Sequence, residues 1–148
     1  MKKWLIFALG IVCFALLAWA VTPEKPEPPE SYDLGITMTV ENLTPIGCTL
    51  KVTQSGGEIT GEVSCGCDFW VEQLADGAWT ALKTPENLCW TAEGYMLNNR
   101  TSTFVLKWEY IYGTLPAGTY RIGKAILDRR HPGDYDCQDY YTEPFAIE

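Results

Sequence analysis

The chain has 148 residues, 47% of them hydrophobic, with 11 basic against 19 acidic side chains and a formal net charge of −8. That is one domain's worth of sequence. Without Lys2 and Lys3, which stand in the first twenty residues, the remainder carries 9 basic and 19 acidic groups, a balance of −10. Such a surface repels phosphate backbones and anionic lipid heads, which argues against nucleic-acid binding.

Lys2-Lys3 is followed by eighteen uninterrupted apolar residues, Trp4 to Val21. Ala18-Trp19-Ala20 places small residues at −3 and −1 of a signal-peptidase site, so residues 1–21 read as a signal peptide cut after Ala20. The same run is long enough for a hydrophobic helix that spans a membrane, with Trp4 and Trp19 placed for the two interfaces. Cys13 follows Val12, where a lipoprotein acceptor needs a small residue. Both readings keep the lysines inside and export the rest of the chain, either secreted or membrane-anchored through an uncleaved N-terminal segment. Residues 22–31, TPEKPEPPES, hold four of the nine prolines and three glutamates. This linker reads as a polyproline II spacer reaching roughly 30 Å at about 3.1 Å per residue.

From residue 32 onward the pattern is that of strands. Ile36, Met38 and Val40 alternate with Thr37, Thr39 and Glu41. After the turn Asn42–Gly47, Cys48, Leu50 and Val52 alternate with Thr49, Lys51 and Thr53. Gln54 to Gly61 is glycine-rich loop, and Cys65 and Cys67 lie before a third strand that begins with Phe69 and Val71. Asp76-Gly77 closes a tight hairpin onto Trp79 to Leu82, because Asp-Gly supplies the positive φ values of a primed turn. Lys83 to Arg100 has no steady period and reads as a long crossover with one short strand or helical turn. Phe104, Leu106, Trp108 and Tyr110 fall on one face of the next strand, opposite Lys107 and Glu109. Leu115-Pro116-Ala117-Gly118 then turns the chain as a type I turn prefers, and Tyr120 opens the following strand with Ile122. A tyrosine so placed can return its hydroxyl to the corner's backbone, the tyrosine corner of immunoglobulin-like sandwiches. Asp128 to Asp136 reads as a loop, and Tyr140 to Ile147 as the last strand, with Pro144 at an edge or bulge. The expected fold is an all-β immunoglobulin-like sandwich of about 7–8 strands over residues 32–148.

These motifs also carry a family resemblance. The runs FWVEQLADGAW, WEYIYGTLPAGTYRIGKAILD and GDYDCQDYYTEPFAIE resemble the bacterial Ig-like domains of short exported proteins of Gram-positive bacteria. Trp79 matches that family's hairpin tryptophan, with Val71-Glu72-Gln73 in place of its Leu-Glu-Lys. Gly113, Leu115, Pro116, Gly118, Tyr120, Arg121 and Ile122 match its corner. The resemblance covers roughly Tyr32 to Glu148, and it implies the sandwich but no catalytic residue.

Five cysteines lie in the exported part, an odd count for an oxidising compartment. Cys48 alternates with core residues and is expected as a buried free thiol. The loops bearing Cys65, Cys67 and Cys137 and the crossover bearing Cys89 share one pole in such a sandwich. The expected pairing is Cys67 with Cys137 and Cys65 with Cys89. One residue of register separates this from the crossed pairing, Cys65 with Cys137 and Cys67 with Cys89. Two bridges would rigidify that pole, which is therefore the expected binding surface. A zinc site built from these thiols and His131 lacks the usual Cys-x₂-Cys spacing.

His131, the only histidine, stands in a Pro-Gly loop and reads as an exposed loop residue rather than a general base. Asp128, Asp134, Asp136 and Asp139 lack calcium-loop spacing and read as solvated loop acids. Of the many aromatics, Trp70, Trp79, Trp90, Trp108, Tyr110, Tyr112, Tyr140 and Tyr141 are expected mostly in the core or over its edges. Trp70 alternates opposite to Phe69 and Val71 and so faces outward. It is the candidate, with Tyr135, for stacking on a sugar or anchoring a protein. No cofactor is implied. The reading is a non-enzymatic exported surface module whose partner is a protein or a cell-envelope glycan, with a secreted protease inhibitor as the alternative.

Overall fold

A computed structural model describes residues 32–148; the hydrophobic segment 1–21 and the linker up to residue 31 lie outside the described residues. Two antiparallel sheets pack face to face. In the smaller, β1 (Ile36–Thr44) pairs with β2 (Gly47–Gln54), and β2 pairs with β7 (Thr101–Lys107). The registers Val40↔Leu50 and Leu50↔Phe104 set the pleat. Met38, Cys48, Leu50, Val52, Phe104 and Leu106 are buried on the inner face. Apart from the exposed Val105 the outer face is polar, and there the Thr53 and Thr101 hydroxyls meet at 2.9 Å and Lys51 pairs with Glu41. This is the alternation expected of a sheet with one wet face.

The larger sheet is organised by β8 (Gly118–His131), fourteen residues long. Along one edge of β8 run β4 (Trp70–Ala75) and then β3 (Glu62–Gly66); along the other run β10 (Phe145–Ile147) and β9 (Asp134–Tyr141). The strand β5 (Ala78–Ala81) flanks β4, and β6 (Gly94–Met96) flanks β3. Tyr120, Ile122 and Ile126 project from β8 into the core, each fully buried. Burying each isoleucine contributes about 1.5–3 kcal/mol. Among the described residues one short helix, α1 (Glu109–Tyr112), caps the sandwich after Trp108, whose indole donates to the Pro45 carbonyl at 3.0 Å. The Tyr120 hydroxyl donates to the carbonyl of Pro116 at 2.8 Å, closing the Leu115–Gly118 corner.

The described residues form ten strands in place of the expected seven or eight. Asp128–Asp136 is not a loop: β8 and β9 pair almost to their tip, and only Pro132-Gly133 turns, with Gly133 at φ +83°. The charged residues there simulate a loop in sequence, but their polar side chains alternate across a paired ribbon. Glu62–Gly66, expected as loop, is a strand, so Cys65 lies within the sheet. Tyr110 does not continue the β7 face; it sits in α1 and is 83% exposed. The C-terminal strand is broken before Pro144 into β9 and β10. The Asp76-Gly77 turn joins β4 to β5 with φ values of +51° and +79°.

Candidate functional site

The two strands along one edge of β8 are out of step. Cys65 pairs with Ile126 and Trp70 with Gly123, so four residues of one chain segment face only Lys124 and Ala125 of the other. The ladder cannot continue across such a bulge, and its carbonyls need other donors. Lys124 supplies them. Its Nζ donates to the carbonyls of Gly66 at 2.8 Å and Asp68 at 2.7 Å, and it lies 4.6 Å from the Phe104 ring centre across the sandwich. The side chain is fully buried, and desolvation holds its pKa below the ordinary lysine value, partly offset by the neighbouring Cys65, Asp68 and Cys67.

The bulge turns Phe69 inward and leaves Trp70 on the outer face. There the indole lies against Gly123, where any Cβ would overlap it, and meets Tyr141 edge-on at 5.9 Å. Next to it the Arg121 guanidinium sits between the rings of Trp79, at 4.5 Å, and Tyr141, at 4.0 Å, and pairs with Glu72. The crossover folds back on the bulge. Thr91 meets the Cys67 sulfur through its carbonyl at 3.2 Å and its hydroxyl at 3.1 Å, and Trp90 packs on Phe69 with ring centres 5.2 Å apart. Between them opens a groove of about 620 Å³ walled by Trp70 and Trp90, with Asp68, Thr84 and Glu86 on its rim. Trp90 is 39% exposed.

A second groove, of about 780 Å³, gathers Arg100, Arg129 and Arg130, three of the chain's four arginines, with His131. Its charge is largely answered from within. Arg129 pairs with Glu62, and Arg130 binds Asp134 and Asp136 at 2.7 Å and the Thr60 hydroxyl at 2.9 Å. The tryptophan groove is the opposite case, with carboxylates that enter no ion pair among the described residues.

The expected disulfides are not formed: all five thiols of the described residues are free. Cys137 lies mid-strand on β9, on the far side of β8 from the bulge that holds Cys67. Two strand spacings, about 10 Å, exceed what a disulfide spans. Cys65 points into the core at 1% exposure while Cys89 is exposed in the crossover, so these two do not meet either. Cys48 is buried, and desolvation pushes its pKa up to about 12. Trp70 is half-buried on the outer face and Tyr135 is 55% exposed. They do not share a site: Tyr135 is six residues along β9 from Tyr141, about 20 Å from the Trp70 contact. His131 is exposed at the tip of the β8–β9 hairpin.

Asp128 is not a solvated loop acid but fully buried. It accepts from the Thr60 backbone and hydroxyl, each at 2.8 Å, and from the Gly61 backbone at 2.7 Å. Burial pushes its carboxyl upward, yet these bonds and one from Tyr32 outweigh that and leave it below the ordinary carboxylate value. Sequence reasoning missed Lys124 and Asp128, although both stand in phase with Ile122 and Ile126, where a charge is anomalous. It gave no weight to Asp68, in the aperiodic stretch before β4, or to Thr84 and Glu86, because the crossover has no period either.

A family profile described as bacterial Ig-like domain matches residues 30–143. No curated protein and no solved structure matches the chain.

Proposed function

The chain belongs to the bacterial Ig-like domain family, and from that membership we propose that it is a non-enzymatic surface module, held outside the cytoplasm, that binds a partner beside the bulge between β3 and β4, alongside the middle of β8 rather than at a pole of the sandwich. The observation that carries this reading is the groove between Trp70 and Trp90. It combines half-exposed indoles with carboxylates committed to no ion pair, on a wall pinned from behind by Lys124 and Gly123. Exposed aromatics on a rigid frame are the usual anchors of recognition, since little ordering cost remains at binding. Lys2-Lys3, the apolar run Trp4 to Val21 and the proline spacer support export with the domain held away from a membrane. Among the described residues no helix is long and apolar enough to cross a membrane.

Fractionation of producing cells tests localisation. The chain is expected outside the cytoplasm, either with membranes or, if cut after Ala20, in the medium with Val21 as its first residue. Recovery of the intact chain from the cytoplasm overturns the reading.

A further inference from the structure

Resting on that reading of the groove as a binding surface, we propose that it takes a saccharide, a chain of neutral or amino-substituted pyranose rings. One face of a pyranose is a patch of C–H groups that stacks on an indole, while its rim of hydroxyls demands acceptors and donors in the same plane. The groove offers both. Trp90, 39% exposed, and the half-buried Trp70 supply apolar walls, and Asp68, Glu86 and Thr84 stand around them. A carboxylate accepts from two adjacent hydroxyls as it accepts from a forked donor, and charge assistance makes such bonds strong. Neither Asp68 nor Glu86 enters an ion pair among the described residues, although the Lys124 ammonium behind the bulge lies near enough to Asp68 to feel its charge. No basic residue stands among the groove's lining.

Charge selects within the sugars. A groove lined by two acidic residues and no basic one, on a domain of strongly negative balance, disfavours uronic acids and phosphate-bearing polymers and admits neutral or amino sugars. A volume of about 620 Å³ falls within the range of small-ligand sites. The walls are also set in advance. Lys124 holds the Asp68 carbonyl, the Cys67–Thr91 contact holds the segment next to Trp90, and Gly123 seats Trp70. Binding then immobilises few side chains, which is the condition under which a weakly hydrophobic ligand is retained.

The test titrates the purified full-length chain with the tetramers of N-acetylglucosamine, glucose and mannose, followed by tryptophan fluorescence and calorimetry. At least one tetramer is expected to bind saturably. Trp90→Ala should weaken it by about tenfold or more. Glu86→Ala, at an exposed rim position, should weaken it too while the unfolding midpoint stays unchanged; it also serves as the second variant if Trp90→Ala does not fold. Absence of binding to all three tetramers overturns the proposal, as does binding that survives Trp90→Ala and Glu86→Ala. Binding of tetramethylammonium but no tetramer assigns the groove to organic cations instead and also overturns it. A parallel arm measures retention on isolated cell envelopes. Retention that needs Trp90 without any saccharide binding overturns the sugar while leaving the surface module standing; loss of both arms overturns both.

Discussion

Lys124 stands where the alternation of its strand calls for an apolar side chain, between the fully buried Ile122 and Ile126. Two effects oppose each other there. Burying an ammonium is costly, which depresses its pKa, but its bonds satisfy two carbonyls that the bulge would otherwise strand. An unsatisfied buried carbonyl costs about 1–3 kcal/mol, and two of them outweigh the relief of removing the charge. Lys124→Met is therefore expected to lower stability by about 1–3 kcal/mol, read by urea unfolding. Between the depressed native value and the ordinary 10.5, the unfolded chain holds a proton that the folded chain has lost. Wild-type stability relative to Lys124→Met should then rise with pH in that window. Asp128 behaves in the opposite sense at acid pH. Its carboxyl is held below the ordinary 3.8, so its contribution is present above that value and is lost as pH falls through the native one. Asp128→Asn should flatten the acid limb of the stability curve. Tyr120→Phe deletes the hydroxyl bond to Pro116 from a fully buried ring, and a loss of about 1–2 kcal/mol with unchanged circular dichroism is the expected result.

The bulge between β3 and β4 is the element on which the groove depends, and it is coupled to β8 through Trp70 and Gly123. Gly123→Ala tests that coupling. The backbone there is not in the left-handed region, so the change is steric: its Cβ overlaps the indole and forces Trp70 off the sheet. The expected outcome is a loss of about 1–3 kcal/mol with a red-shifted tryptophan emission; unaltered emission would mean that Trp70 is not seated on the glycine. At this scale the sequence was legible where periods are clean. The strands β1, β2 and β7, the Asp-Gly hairpin and the Leu-Pro-x-Gly corner all announce themselves by alternation or turn chemistry. The bulge does not, because Gly66, Cys67 and Asp68 have no period and their partner is a lysine 56 residues beyond Asp68. Trp70 was readable as outward-facing from its phase against Val71. That Trp90 and Glu86 come to stand beside it depends on how the crossover folds back, which only tertiary packing decides.

Over the whole molecule the cysteines record how far pole-level reasoning reaches. Placing Cys65, Cys67, Cys89 and Cys137 at one end of a sandwich is correct topology for loops, but Cys65 and Cys137 turn out to be strand residues, one facing the core and one facing solvent. Pairing then fails on geometry, because β8 separates the flank of Cys67 from that of Cys137. The fold sorts the five thiols by depth, and thiol chemistry should follow that order, since the thiolate is the reactive form. Burial suppresses ionisation at Cys48, up to about 12, and raises the pKa of Cys65 as well. Cys89 and Cys137 are exposed, and Cys67 is half-buried with its sulfur held by Thr91. An alkylating reagent at neutral pH is therefore expected to label Cys89 first. Cys137 should follow, its pKa raised by partial desolvation and by the nearby Asp139 and Asp68. Cys67 should react more slowly, and Cys48 and Cys65 only after denaturant is added. In an oxidising medium the same order makes Cys89 and Cys137 the sulfurs through which two copies become joined, seen as a dimer band on a non-reducing gel that reductant removes. Peptide mapping checks both statements at once. A bridge between Cys67 and Cys137 within one chain would demand that β9 leave the edge of β8, and with it would fall the seven-stranded sheet on which the groove is built.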